Sequence, residues 1–173
     1  FQWRKGRGAS EKFHGAVVDH EGSEHTRTFR EVAEVGKVLE TLTPVLGSTT
    51  HSDAAVIYDI DNRWAIENSQ GPRRDAHYFE TVLENYAALS GCGVNVDVIE
   101  QTADFSGYKL IAAPMLYMLM PGVAERMEAF VRSGGTLVAT CRTGIVDQDD
   151  LCFLGGFPGP LRKLLGIWAE ETD

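Results

Sequence analysis

Apolar residues recur along this chain with two periods. From Thr26 to Leu42 they fall at Phe29, Val32, Val35, Leu39 and Leu42, three or four apart, with Glu31, Glu34, Lys37 and Glu40 between them. That spacing predicts an amphipathic helix, which Pro44 and Gly47 close. "GSTTHSD" then reads as a linker. Beyond it the pattern changes. "AAVIYD" (Ala54 to Asp59) is a short buried strand. Arg73 to Leu89 is helical, with Tyr78, Val82, Leu83 and Tyr86 on one side and Gly91 and Gly93 at its end. "VNVDVI" (Val94 to Ile99) and "KLIAAP" (Lys109 to Pro114) are strands. Pro121 to Arg132 is a helix with Pro in its first turn and Gly134 past its end. "TLVAT" (Thr136 to Thr140) is a fourth strand, and "PLRKLLG" (Pro160 to Gly166) a short terminal helix.

Short apolar strands alternating with helices predict an α/β fold with a parallel sheet covered on both faces. Right-handed crossovers make it a flavodoxin-like three-layer sandwich. The segment before Thr49 does not belong to that sandwich and reads as the end of a preceding domain.

Composition supports a real core, with 43% hydrophobic and 24% charged residues. The net charge of -9 argues against nucleic acid or an anionic membrane as partner. "WRKGR" is the only basic cluster. Three cysteines without a CxxC suggest neither a disulfide framework nor a zinc site, and point to a reducing, cytoplasmic setting. No apolar run reaches the 18 residues of a membrane span. The start "FQWRKGRGAS" carries no leader, and the first Met is Met115, which suggests a piece of a longer chain.

Four places invite chemistry. In "LVATCRTGIVD" (Leu137 to Asp147), Cys141 ends a strand as a nucleophile does in several α/β enzymes. A class I glutamine amidotransferase elbow needs Gly-x-Cys-x-Gly and a His after the Cys. Here Ala139 and Thr143 take the Gly positions, and all five His precede Cys141. A small side chain at a strand end is the simpler account. "DIDN" (Asp59 to Asn62) puts two carboxylates after the first strand, where ligands of such sheets bind, but no phosphate loop follows. Its other reading is a solvated loop with Asp capping a turn, next to an exposed Trp64. "DQDD" (Asp147 to Asp150) lacks calcium-loop spacing and reads as a solvated loop. Glu11 and His14, three apart, share one side of a helical turn if they form one.

"FQWR", "EKFHGAVVDH", "TFREVAEVG", "LIAAPMLYML", "PGVAERMEAFVRSGGTLVAT" and "GIVDQDDLCFLGGFPGPLRKLLGIWAEE" together resemble the bacterial glycoside hydrolase family 42 β-galactosidases along nearly the whole chain. That resemblance implies a (β/α)8 barrel, an α/β trimerisation domain and a small β-sandwich. Residues 1–48 match the last strand-helix unit of the barrel. Residues 49–173 match the trimerisation domain, which is amidotransferase-like without the catalytic residues. It implies retaining hydrolysis of terminal β-galactosides by two barrel Glu residues, neither of which can be placed on this chain. No catalytic residue, metal or cofactor is expected here, and the chain alone is expected to be inactive. By the same resemblance Glu11 and His14 of "EKFH" contact the galactosyl unit. Family members tend to carry a larger residue, often aromatic, at the position of Cys141.

The expected assembly is a homotrimer, with contacts from Asp61 to Ala65 and from the apolar run Pro114 to Met120. Two other classes remain. One is a stand-alone flavodoxin-like ligand-binding module. The other is an amidotransferase-like hydrolase using Cys141.

Overall fold

The computed structural model describes residues 2–70 and 76–171. The chain divides into two compact units, Phe1–Thr50 and His51–Asp173.

In the first unit the backbone around Trp3 to Lys5 pairs with Val18. Val18 N donates to Trp3 O at 2.8 Å and Lys5 N to Val18 O at 3.0 Å. A 3-10 turn, Ser10–Phe13, follows. Helix α1, Arg27–Thr41, begins at Thr26, whose hydroxyl accepts from Phe29 N. None of its residues is buried, and Val32, Val35, Leu39 and Leu42 stand exposed as a stripe. The predicted amphipathic helix forms, but its apolar face lies open.

The second unit carries the sheet. Strands β1 (Ala54–Ile57), β2 (Val96–Ile99), β3 (Leu110–Ala113) and β4 (Thr136–Ala139) are all parallel, in the order β2-β1-β3-β4. Val56 of β1 pairs with Val98 on one side and Ala112 on the other. Every residue of β1 is buried, as a central parallel strand covered on both faces requires.

Alternate residues of β1 and β3 face opposite layers. Ala55, Ile57, Ile111 and Ala113 pack with Val123, Met127 and Phe130 of helix α4 (Val123–Arg132), together with Phe105 and Leu161. Val56 and Ala112 pack on the other side with Ile66, Tyr78 and Val82. Ile66 belongs to helix α2 (Ile60–Asn68), and Tyr78 and Val82 to helix α3 (Tyr78–Gly91). These are the three layers of the predicted sandwich. The terminal helix is a 3-10 turn, Gly159–Leu161, running into α5 (Arg162–Leu165).

Four expectations change. The "DIDN" segment is not a loop but the start of α2. Helix α3 begins at Tyr78; Ala76 and His77 are not helical, and the predicted part from Arg73 to Asp75 lies outside the described residues. Leu83 is exposed, and Leu89 instead joins Tyr78, Val82 and Tyr86 on the packed face. Pro121 and Gly122 precede α4, and Gly122 takes a left-handed backbone just before it.

Candidate functional site

The carboxyl ends of β1, β3 and β4 gather the residues that the sequence singles out in the second unit. Asp59, at the end of β1, is nearly buried. Its Oδ1 accepts from Asn62 N at 2.9 Å, so it caps α2, where a carboxylate also meets the positive end of the helix. Its own N–H donates to the Tyr78 hydroxyl at 3.1 Å. Burial pushes the Tyr78 phenol up to about 12. Asp61 stands exposed on the first turn of α2. The two carboxylates therefore play different parts: one is spent on the helix cap and the other is free. Among the described residues no group of three or more His, Cys, Asp or Glu is placed to hold a metal ion.

Asn62, fully buried, is the residue that sequence reasoning passed over. Its Nδ2 donates to Met115 O at 3.1 Å and its Oδ1 accepts from Met118 N at 2.8 Å. Thr140 Oγ1 accepts from Met115 N at 2.7 Å. Together they hold the segment after β3.

That segment is not the exposed patch expected of it. Met115, Leu116, Met118 and Leu119 are buried within the chain, and Tyr117 is half-buried. Of this run only Tyr117 and Met120 keep partial exposure, so the broad apolar patch that was expected is absent. Trp64, by contrast, is 60% exposed, as expected.

Cys141 is exposed and unpaired, as are Cys92 and Cys152. It borders a hollow of about 710 Å³, which runs beside β4 and is lined mainly by apolar side chains such as Leu137, Val138, Phe157 and Leu165. No His lines it. The left-handed backbone falls on Arg142, one residue after the position where an elbow places its nucleophile. Cys141 thus has neither a base nor the turn that nucleophilic chemistry needs. Gly144 answers a different demand. Its φ is +67°, and a Cβ there would lie 2.6 Å from Pro158 O. "DQDD" is an ordinary turn: Asp147 Oδ1 accepts from Asp149 N at 2.9 Å and from Leu151 N at 3.1 Å.

In the first unit, Glu11 sits in the 3-10 turn and His14 caps it, His14 N donating to Glu11 O at 3.1 Å. Both side chains are exposed. His14 itself is extended, so the shared helical face that the spacing suggested is only partly formed. Nearby, Lys5 Nζ bonds Asp19 at 2.6 Å and holds that carboxyl below the usual range. His20 Nε2 lies 2.9 Å from Gly6 O. These contacts fasten the two ends of the loop that carries Glu11 and His14.

Comparison with known proteins gives these placements a frame. The profile of the β-galactosidase trimerisation domain family matches residues 52–173, and that of a β-galactosidase family matches residues 1–42. The chain is 61% identical to the β-galactosidase BglY of Alicyclobacillus acidocaldarius and 59% identical to the β-galactosidase Pbg of Clostridium perfringens. Both alignments cover the whole of this chain and 25% of the relative. Among solved structures, the β-galactosidase from Bacillus circulans sp. alkalophilus superposes with a TM-score of 0.80 at 49% identity. That superposition covers all of this chain and 26% of the other. The chain thus spans about a quarter of the length of the relatives it matches.

Proposed function

This chain belongs to the β-galactosidase trimerisation domain family, and from that premise we propose that it is the assembly part of a β-galactosidase, joined to the end of the catalytic barrel. The match of residues 52–173 to that family carries the proposal. Residues 1–48 are the closing strand-helix unit of the barrel, and residues 49–173 the trimerisation domain. The intact protein hydrolyses terminal, non-reducing β-galactosides with retention. Two Glu residues of the longer protein act, one as acid/base and one as nucleophile. This chain by itself does not hydrolyse them.

Three features support the division of labour. The exposed stripe of α1 has the spacing with which an outer barrel helix lies on its strands. Among the described residues no His lines the hollow beside Cys141, which counts against amidotransferase chemistry in the sandwich. Relatives carry this segment within chains about four times its length, which disfavours a stand-alone ligand-binding module.

In the intact protein Glu11 and His14 contact the galactosyl unit. Their turn is exposed, and a carboxylate and an imidazole suit hydroxyls that both donate and accept. The sandwich closes a homotrimer by a head-to-tail contact, in which two different surfaces of each subunit meet. The three unpaired cysteines suit a reducing cytoplasm. No helix of the described residues is long and apolar enough to cross a membrane.

Mass measurement on the full-length protein tests the assembly role. The intact protein sediments as a trimer, and the same protein without residues 51–173 as a monomer. A trimer that survives the deletion refutes the role.

A further inference from the structure

The sheet of the second unit changes direction between β1 and β3. From β1 the chain crosses to β2 on one side, then returns to β3 on the other. Open α/β sheets hold their ligands at the carboxyl ends of the strands at such a point. Here α2 and the segments after β3 and β4 line a hollow of about 490 Å³ with Asp61, Trp64, Asn68, Met118, Gln148 and Asp150.

Its lining divides by chemistry. Met118 and Ala65 are buried and pack on Val146, which makes an apolar base. Trp64 is largely exposed and has no ring partner among the described residues. The side chains of Asp61, Asn68 and Asp150 make no hydrogen bond or ion pair among the described residues. Gln148 spends one donor on Asp149. Asp150 is held in a left-handed backbone, φ +59°, which a non-glycine residue rarely adopts.

The lining selects among ligand classes. Among the described residues no Lys or Arg lines the hollow, which leaves phosphates and nucleotides without a counter-charge from them. Two carboxylates at an open rim disfavour a purely apolar ligand. A neutral pyranose fits each group in turn. Its C–H face stacks on an indole, its hydroxyls donate to carboxylates, and the amides of Asn68 and Gln148 both donate and accept. We propose that this hollow is a binding site for a neutral pyranose sugar, with Trp64 as its stacking platform and Asp61, Asn68, Gln148 and Asp150 as its hydroxyl partners. The choice of a galactoside as probe rests on the β-galactosidase reading; the site itself rests on the lining.

The test is a titration of the 173-residue chain with methyl β-D-galactopyranoside, read by saturation-transfer NMR. The expected result is saturable transfer to the ring protons on one face of the sugar. A half-saturation of about 1–10 mM fits so few polar contacts. Trp64→Ala and Asn68→Ala each weaken it at least about fivefold, whereas Trp168→Ala, outside the hollow, leaves it unchanged. Circular dichroism confirms that the variants fold. Absence of saturation overturns the proposal, as does binding that survives Trp64→Ala. Tetramethylammonium bound in place of the sugar marks a cation site, and a mass change in Trp64→Ala without loss of sugar binding marks a subunit anchor; either overturns it too. If the sugar fails to bind while the full-length protein hydrolyses galactosides, only this site falls. If the sugar binds while the full-length protein is inert, only the enzymatic reading falls.

Discussion

Asn62 bonds Met115 and Met118 at once, accepting from one main chain at 2.8 Å and donating to the other at 3.1 Å. One buried amide therefore fixes both the helix after β1 and the turn after β3. Asn62→Leu keeps the volume but leaves the buried Met118 N–H without its partner, while the Met115 carbonyl keeps the bond it accepts from Tyr117 N at 2.7 Å. The expected loss is about 1–3 kcal/mol in urea unfolding, the cost of one orphaned buried donor. A loss below about 0.5 kcal/mol shows that the amide does not hold the turn.

Gly144 allows no side chain. Its positive φ and the Pro158 carbonyl 2.6 Å from an added Cβ make Gly144→Ala costly twice over. The left-handed backbone alone costs an Ala about 1–2 kcal/mol, and the backbone collision adds to it. A thermal melt of the variant is expected to fall by at least about 3 °C, on the scale of about 2–4 °C per kcal/mol for a chain of this size. A melt unchanged from the parent contradicts the close approach.

Cys141, by contrast, is free to change. As an exposed side chain with no base, Cys141→Ser shifts stability by no more than about 0.5 kcal/mol. Galactoside turnover of the full-length protein stays the same. Abolished turnover restores the nucleophile.

Tyr78 gives the alkaline limb of stability. Burial raises its pKa in the folded state to about 12, above the usual 10. A raised folded pKa means that the folded state holds the proton more tightly. Its stabilising contribution is complete below about pH 10 and disappears as the pH climbs from there through about 12. Absorbance at 295 nm is expected to show one tyrosine ionising near the upper value, and Tyr78→Phe removes that step. Ionisation of every tyrosine near pH 10 in the folded protein contradicts it.

Glu11 and His14 are tested only in the intact protein. If each hydrogen-bonds a sugar hydroxyl, Glu11→Gln and His14→Ala lower kcat/KM for p-nitrophenyl β-D-galactoside by about 10- to 100-fold. That matches the loss of about 1.5–3 kcal/mol for a charged hydrogen bond. A change under twofold removes them from the substrate.

The sandwich was legible wherever apolar periodicity was strong. β1 and β3 are buried on both faces and read as continuous apolar runs. α4 places Val123, Met127 and Phe130 at helical spacing. α2 escaped because its buried face is Asn62, Ala65 and Ile66, with Ile60 and Trp64 turned outward, so no apolar stripe marks it. Its Asp59 cap is the one legible sign, and a capping Asp fits a turn as well as a helix start. The run Pro114 to Met120 misled in the opposite way. Seven residues without alternation hide which of them point inward, and only the Asn62 and Thr140 bonds reveal how the turn buries them. The hollow beside Trp64 draws on residues from three separate segments, a convergence that no local pattern displays.

Proton NMR of the full-length protein acting on p-nitrophenyl β-D-galactoside tests whether this chain is part of a retaining β-galactosidase. β-Galactose is expected first, mutarotating later to the α anomer, while the 173-residue chain alone gives no turnover. Release of α-galactose first, no hydrolysis by the full-length protein, or hydrolysis by the chain alone would contradict it.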